Sequence, residues 1–283
     1  MKLSNILLEL AKMDLKAARL LYNEGLYPQA VFHLQQAVEK ATKSFGLEIG
    51  VVAESEEDLK EIGHNPLKVY KRIIEDYLSK LKYLVGVTEQ IPALRQTSLM
   101  GRFDFRDLYG KVSQAKEHVN RLSKMGPADL TREEIETLLR QIDEVRSFEI
   151  SSEDLKSLPD EDFIRAKEEV KEFISCLPVD KRSLDEFESG MEDPELVEVL
   201  KTVFTSRNFI DLLSSFIILV PSLLFLSIIT LPHDEVSRYP KDNHDPLQIY
   251  SEDHPLIQLF EECCRAADNA LVMLERYLKA SGE

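Results

Sequence analysis

Tryptophan is absent from this 283-residue chain, cysteine occurs three times, glycine ten times and proline twelve. So few turn-forming residues exclude a collagen-like, low-complexity or turn-rich all-β chain. Cys176, Cys263 and Cys264 are odd in number and form no CxxC pair, which excludes a disulfide framework and a cysteine-built zinc site. No P-loop, glycine-rich dinucleotide fingerprint, GxSxG elbow or helix-borne HExxH is present. His233-Asp234-Glu235 and His244-Asp245 lack a metal-ligand spacing, so neither metal nor cofactor is expected. Glu9 and Asp14 break the apolar run that a secretory leader needs, and the expected compartment is a reducing cytoplasm.

Leu, Glu and Lys are abundant, and 43% of the chain is hydrophobic, enough for a sizeable core. The expected fold class is all-α. The net charge of -16 is unevenly spread: residues 1–85 are neutral, residues 86–200 carry -11 and residues 201–283 carry -5. An acidic total disfavours indiscriminate nucleic-acid binding while leaving room for a local basic site.

Residues 11–45 carry apolar residues every three or four positions on both sides of Asn23-Glu24-Gly25, predicting two helices joined by a turn. Gly25 suits a left-handed C-terminal cap, and Pro28 suits a first helical turn. The first helix is expected to bury Leu3, Ile6, Leu7, Leu10, Met13, Ala17, Leu20 and Leu21, and the second Ala30, Val31, Leu34, Val38, Ala41 and Phe45. His33, Gln36, Lys40 and Lys43 form a polar stripe expected to face away from the core.

Residues 46–62 read as an exposed loop. Asn65-Pro66 caps a third helix with Leu67, Tyr70, Ile73 and Leu81 on its buried side. Thr131 to Glu134 has the form of a capping box. Further helices are expected from Pro159 or Asp160 and from Pro194, the latter burying Leu196, Val199, Leu200 and Val203. From Leu212 to Pro232 no residue is charged. A run of that length meets the hydropathy test for a membrane span over residues 209–231. Pro221, five hydroxyl residues and the lack of flanking cations favour a buried core helix instead. The last helix, near residues 254–278, is expected to take its cap from Ser251 or Asp253.

The wording of the first two helices resembles the HEPN family: Asp14-Leu15, Ala17-Ala18, Gly25-Leu26-Tyr27, Ala30, Phe32-His33, Gln35-Gln36-Ala37 and Glu39-Lys40-Ala41. Gly63-His64 before the third helix and Arg238-Tyr239-Pro240 after the apolar run resemble it too. The resemblance implies an antiparallel up-and-down helical bundle from residues 1–85 and 201–283, interrupted by an acidic helical subdomain at 86–200. It also implies a homodimer, a nucleotide or RNA ligand, and a small nucleotidyltransferase as partner, in the manner of toxin-antitoxin or defence systems.

Many HEPN proteins resemble metal-independent endoribonucleases carrying an arginine, four to six residues, and a histidine. Here Arg238 precedes His244 by five intervening residues. Arginine's planar fork suits a phosphate, and a histidine near neutral pKa suits proton transfer. The expected catalytic pair is Arg238 and His244, with Tyr239, His64, Lys40 and His33 as binding residues. The alternative is a non-catalytic dimerisation or interaction scaffold that recruits a partner through the acidic insertion.

Overall fold

The computed structural model describes residues 2–97, 104–122, 124, 130–147, 160–176, 180–191, 195, 198–199, 202–203, 206–240 and 245–282. Helices and 3₁₀ turns make up the regular structure of these residues. They are α1 (Leu3–Asn23), α2 (Tyr27–Glu48), α3 (Glu56–Ile62), α4 (Leu67–Gln90), α5 (Phe105–Leu122), α6 (Arg132–Arg146), α7 (Asp160–Ser175), α8 (Lys181–Met191), α9 (Arg207–Thr230), α10 (Pro246–Ile249), α11 (Pro255–Gln258) and α12 (Phe260–Ser281). One 3₁₀ turn, Pro92–Gln96, follows α4, and another, Leu231–His233, follows α9.

The chain divides into two compact units. The first comprises residues 1–73, 117–149 and 211–283, and the second comprises 74–116 and 150–210. Relative to the boundaries expected from sequence, α6 and the end of α5 group with the bundle, whereas most of α4 groups with the second unit. In that second unit Lys116 pairs with Glu75 at 2.8 Å, Arg106 pairs with Glu89, and α7 packs on α8.

In the first unit, α1 turns into α2 where Gly25 adopts φ 73° and Leu26 N donates to Leu21 O at 2.9 Å. That left-handed conformation is inexpensive only without a Cβ. The α1 face pressed into the bundle is Ser4, Leu8, Ala11, Leu15 and Ala18. This corrects the expected face: Leu3 and Leu7 are partly buried, while Ile6, Leu10, Met13 and Leu20 are exposed, Met13 by 67%. The reason is that α1 is apolar around most of its circumference, so periodicity alone permits two registers. Ala11 and Ala18, both fully buried, let the α2 backbone come close. Ser44 Oγ donates to Ser4 O, and Ser4 Oγ to Glu48 Oε2, fixing the chosen register.

The expected loop at 46–62 contains α3, because Ser55 accepts from Asp58 N and Glu56, Glu57 and Asp58 complement the helix N-terminus. Gly46 in α2 is the point of closest approach to this segment: a Cβ there would lie 2.8 Å from methyls of both Val52 and Val69. Asn65 Oδ1 accepts from Leu67 N at 3.0 Å, giving α4 the cap expected for it.

Helix α9 runs through the first unit. The Phe216 ring lies 6.0 Å from that of Phe45 of α2 and 6.2 Å from that of Tyr277 of α12, and Leu219, Leu223, Leu226 and Ile229 are buried. Each such side chain contributes roughly 1.5–3 kcal/mol of burial. The helix is long and apolar enough to cross a membrane, and about half of its apolar stretch (56%) is buried in the structure. Its buried hydroxyls are satisfied locally: Ser222 donates to Ile218 O, Thr230 to Leu226 O, and Ser227 meets Thr42 of α2 at 3.4 Å.

Helix α12 closes the bundle on α1. Tyr22 stacks on Phe260 at 4.5 Å, Arg19 Nη2 donates to Cys264 O, and Lys12 pairs with Glu275 at 3.0 Å. Thr131 and Glu134 form a reciprocal capping box at the start of α6, and Arg132 reaches Gln258. The final helical region is broken at Leu259. The cap of α11 is His254, whose Nδ1 accepts from Leu256 N, rather than Ser251 or Asp253. Pro194, Leu196 and Leu200 lie outside the described residues, and Val199 and Val203, expected to be buried, are exposed.

Candidate functional site

Helix α2 presents Phe32, His33, Gln35, Gln36, Glu39, Lys40 and Lys43 along its length, and three other parts of the first unit converge on them. The expected solvated stripe is instead mostly half-buried and tied down. Lys40 Nζ donates to Asp14 Oδ2 of α1, and His33 Nδ1 lies 2.9 Å from Asp14 Oδ1. One carboxylate therefore holds both side chains that the sequence singled out on this helix.

Glu39 is buried, and both of its carboxylate oxygens are hydrogen-bonded. Gln35 and Gln36 donate their amides to Oε2 at 3.1 and 3.2 Å, and Lys43 donates to Oε1 at 2.7 Å. His64 Nδ1, from the turn between α3 and α4, lies 3.3 Å from Oε2. Gln36 Oε1 also accepts from Lys40, so the network is continuous from Asp14 to His64. Burying a carboxyl group is costly unless it is hydrogen-bonded and paired, as it is here.

The turn following α9 supplies the opposite side. Arg238 Nε donates to Asp234 O at 3.0 Å, and its Nη2 to Asp234 Oδ1 at 2.9 Å. Its guanidinium carbon sits 5.2 Å from the centre of the Phe32 ring and 5.4 Å from that of Tyr239, within cation–π range of both. Tyr239 is exposed. Burial holds the Asp234 carboxyl above its ordinary range, even with Arg238 beside it.

Between these walls lies a cleft of about 500 Å³, lined by His64, Asn65, Lys68, Asp234, Arg238 and apolar neighbours such as Ile62 and Leu231. Arg238, His64 and Lys68 bring cationic or hydrogen-bonding groups to its lining, and Asp234 and Glu235 bring two carboxylates. One ligand atom from each of Glu39, His64 and Asp234 lies within 4.8 Å of the others, close enough to share a cation. The charge count opposes that use: Lys43 and Arg238 already balance the two carboxylates, and Glu39 Oε2 already accepts three hydrogen bonds.

Beneath the cleft, His233 is buried with Nδ1 2.9 Å from Tyr250 Oη, and the rings of His233, Tyr250 and His254 pack edge to face or tilted. Burial, with His254 adjacent, pushes the His233 imidazole down to about 3. His233 Nε2 has no hydrogen-bond partner among the described residues. The Cys263 and Cys264 thiols are likewise pushed up by burial, which leaves them small packing residues rather than nucleophiles.

Of the residues expected from sequence, Arg238 and His64 line the cleft, Tyr239 is exposed beside Arg238, and Lys40 and His33 connect to it through the Asp14 and Gln36 network. His244 lies outside the described residues. The sequence marks Asp14, Phe32 and Glu39 only as part of the family wording and Asp234 only within a cluster lacking metal-ligand spacing, and gives none of them a site role. A glutamate directly following Gln35, Gln36, Ala37 and Val38, on the inner side of an amphipathic helix, was the available signal for Glu39.

The HEPN domain family profile matches residues 4–152, more than half of the chain. The matched span runs through part of the segment that the sequence assigned to an insertion and stops before α9. No curated protein and no solved structure matches the chain.

Proposed function

This chain belongs to the HEPN domain family, whose role is related to nucleotides and RNA, and from that membership we propose that its cleft binds the phosphate backbone of an RNA strand. The observation that carries the reading is the state of Arg238. Its Nε and Nη2 are anchored on Asp234 and its plane rests near Phe32, while Nη1 takes no hydrogen bond among the described residues. A guanidinium fixed in this way is pre-organised for an incoming phosphate oxygen and loses little entropy on binding. Tyr239, exposed beside it, offers a face on which a base can stack. Lys68 adds a second cation to the lining.

The finer reading is a metal-independent endoribonuclease of a toxin-antitoxin or defence system, acting in the cytoplasm with a small nucleotidyltransferase as partner. In it, Arg238 neutralises the phosphate and a histidine moves the proton. The test is incubation of the native chain with a mixed-sequence RNA in the presence of chelator, alongside Arg238→Ala and His244→Ala. Binding and cleavage by the native chain, with both reduced in Arg238→Ala, is the expected result. Absence of both sets the reading aside.

One observation favours a second reading, an interaction or dimerisation role. Ile6, Leu10, Met13 and Leu20 form an outward apolar stripe on α1, opposite its buried face. The occupant that fits is a second copy packed antiparallel about Met13. The two-fold would bring Glu9 of each copy against Lys16 of the other, since these lie four residues before and three after the centre on the same flank. This segment is also part of the neutral residues 1–85, where two copies approach without the repulsion of the acidic middle.

A further inference from the structure

Resting on the RNA reading above, we propose that His64 is the proton carrier of the cleft and that Glu39 is its positioning residue. Three observations support the assignment, none of which involves the Arg-to-His spacing.

The first is geometric. His64 Nδ1 faces Glu39 Oε2 at 3.3 Å, and a paired carboxylate oxygen has no hydrogen to give. The imidazole must therefore donate through Nδ1–H, which leaves the lone pair of the neutral ring on Nε2. The second concerns the support beneath it. Glu39 is buried and held on both oxygens by Gln35, Gln36 and Lys43, so its acceptor has a fixed place. A network of that kind selects one tautomer and one ring orientation. The third is access. His64 belongs to the cleft wall together with Arg238, and its Nε2 makes no hydrogen bond among the described residues.

The step follows from these positions. The 2′-oxygen of a bound ribose attacks the adjacent phosphorus, and its proton passes to His64 Nε2. The O2′–P bond forms and the P–O5′ bond breaks. The imidazolium then returns that proton to the departing 5′-oxygen, leaving a 2′,3′-cyclic phosphate and a 5′-hydroxyl. One proton is taken and one is given, and no oxidant, metal or further reactant is consumed. Asp234 lies within 4.8 Å of the same imidazole, so the transient positive charge forms near two carboxylates, while Arg238 stays on the phosphate.

The test uses the full chain with ¹⁵N-histidine labelling and a fluorescein-labelled single-stranded RNA of mixed sequence. In the native chain, long-range ¹H–¹⁵N correlation is expected to show His64 as the Nδ1–H tautomer. Glu39→Gln, which can donate as well as accept, is expected to lose that signature. His64→Gln and Glu39→Gln are each expected to slow cleavage by about 10²-fold or more while RNA affinity changes by less than about threefold. Glu39→Asp, which keeps the carboxylate, is expected to recover part of the rate. A native His64 carrying its proton on Nε2 overturns the proposal whatever the activity. Undiminished cleavage in His64→Gln, or RNA binding by the native chain without cleavage, overturns it and leaves the binding reading standing. Failure of the native chain to bind RNA overturns both.

Discussion

The guanidinium of Arg238 lies 5.2 Å from the centre of the Phe32 ring, joining the turn after α9 to the first half of α2. The two residues are more than 200 positions apart, and their contact holds a cleft-lining side chain against α2. Arg238→Lys keeps the charge but loses both the fork on Asp234 and the planar group beside the ring. RNA affinity is expected to fall about tenfold, equivalent to about 1.4 kcal/mol. Phe32→Leu, which retains bulk and removes the π face, is expected to have a smaller effect in the same direction. Fluorescence anisotropy at fixed salt measures both.

His233 predicts an acid sensitivity. Its folded pKa of about 3 is below its ordinary 6.5, so between those values the unfolded chain binds the extra proton. The stability this group contributes is fully present above pH 6.5 and is lost as pH falls toward 3. Urea unfolding of His233→Gln, compared with the native chain between pH 4 and 6, is expected to show a shallower dependence by up to about 1.4 kcal/mol per pH unit. Parallel slopes would mean that the native imidazole is already protonated in the fold.

Gly46 has no room for a side chain, because the branched Val52 and Val69 already occupy the space where a Cβ would sit. Gly46→Ala is expected to destabilise the first unit by about 1–3 kcal/mol despite the better helix propensity of alanine. Chemical denaturation reads the change. A Gly46→Ala chain with a Val69→Ala companion is expected to recover part of the overpacking cost.

The outer face of α1 predicts concentration-dependent association. Met13→Glu places a charge at the centre of the proposed two-fold and is expected to shift sedimentation toward the monomer. Glu9→Lys alone is expected to weaken association, and Glu9→Lys with Lys16→Glu to restore it. Identical sedimentation of all four chains at every concentration would remove the α1 pairing.

The α1–α2 hairpin and the start of α4 were legible in the sequence because their signals are local: the Gly25 turn, Pro28, and Asn65 at the head of α4 all act within a few residues. The register of α1 was not. With apolar residues on two opposite faces, only the partner helix decides which face is inside, and Ala11 and Ala18 win by their small size rather than their hydrophobicity. The cleft was legible in part. Arg238, Tyr239 and His64 stand out by residue type beside turn formers, but Asp14, Glu39 and Asp234 look like any other acidic residue until the fold brings cations to them. The polar stripe of α2 was misread for the same reason, since its partners come from other helices.

The pairing of the first helix with the last also affects synthesis. Helices α1 and α2 are consecutive and meet across a three-residue turn, so they join within the time of short-loop closure. The face of α1 that takes Tyr22–Phe260, Arg19–Cys264 and Lys12–Glu275 then waits for residues made some 240 positions later. At ribosomal speeds of about 5–20 residues per second, that interval lasts tens of seconds at the slow end. During it, the rings of Tyr22 and Phe45, which Phe260 and Tyr277 of α12 cover in the finished bundle, have no partner from that helix.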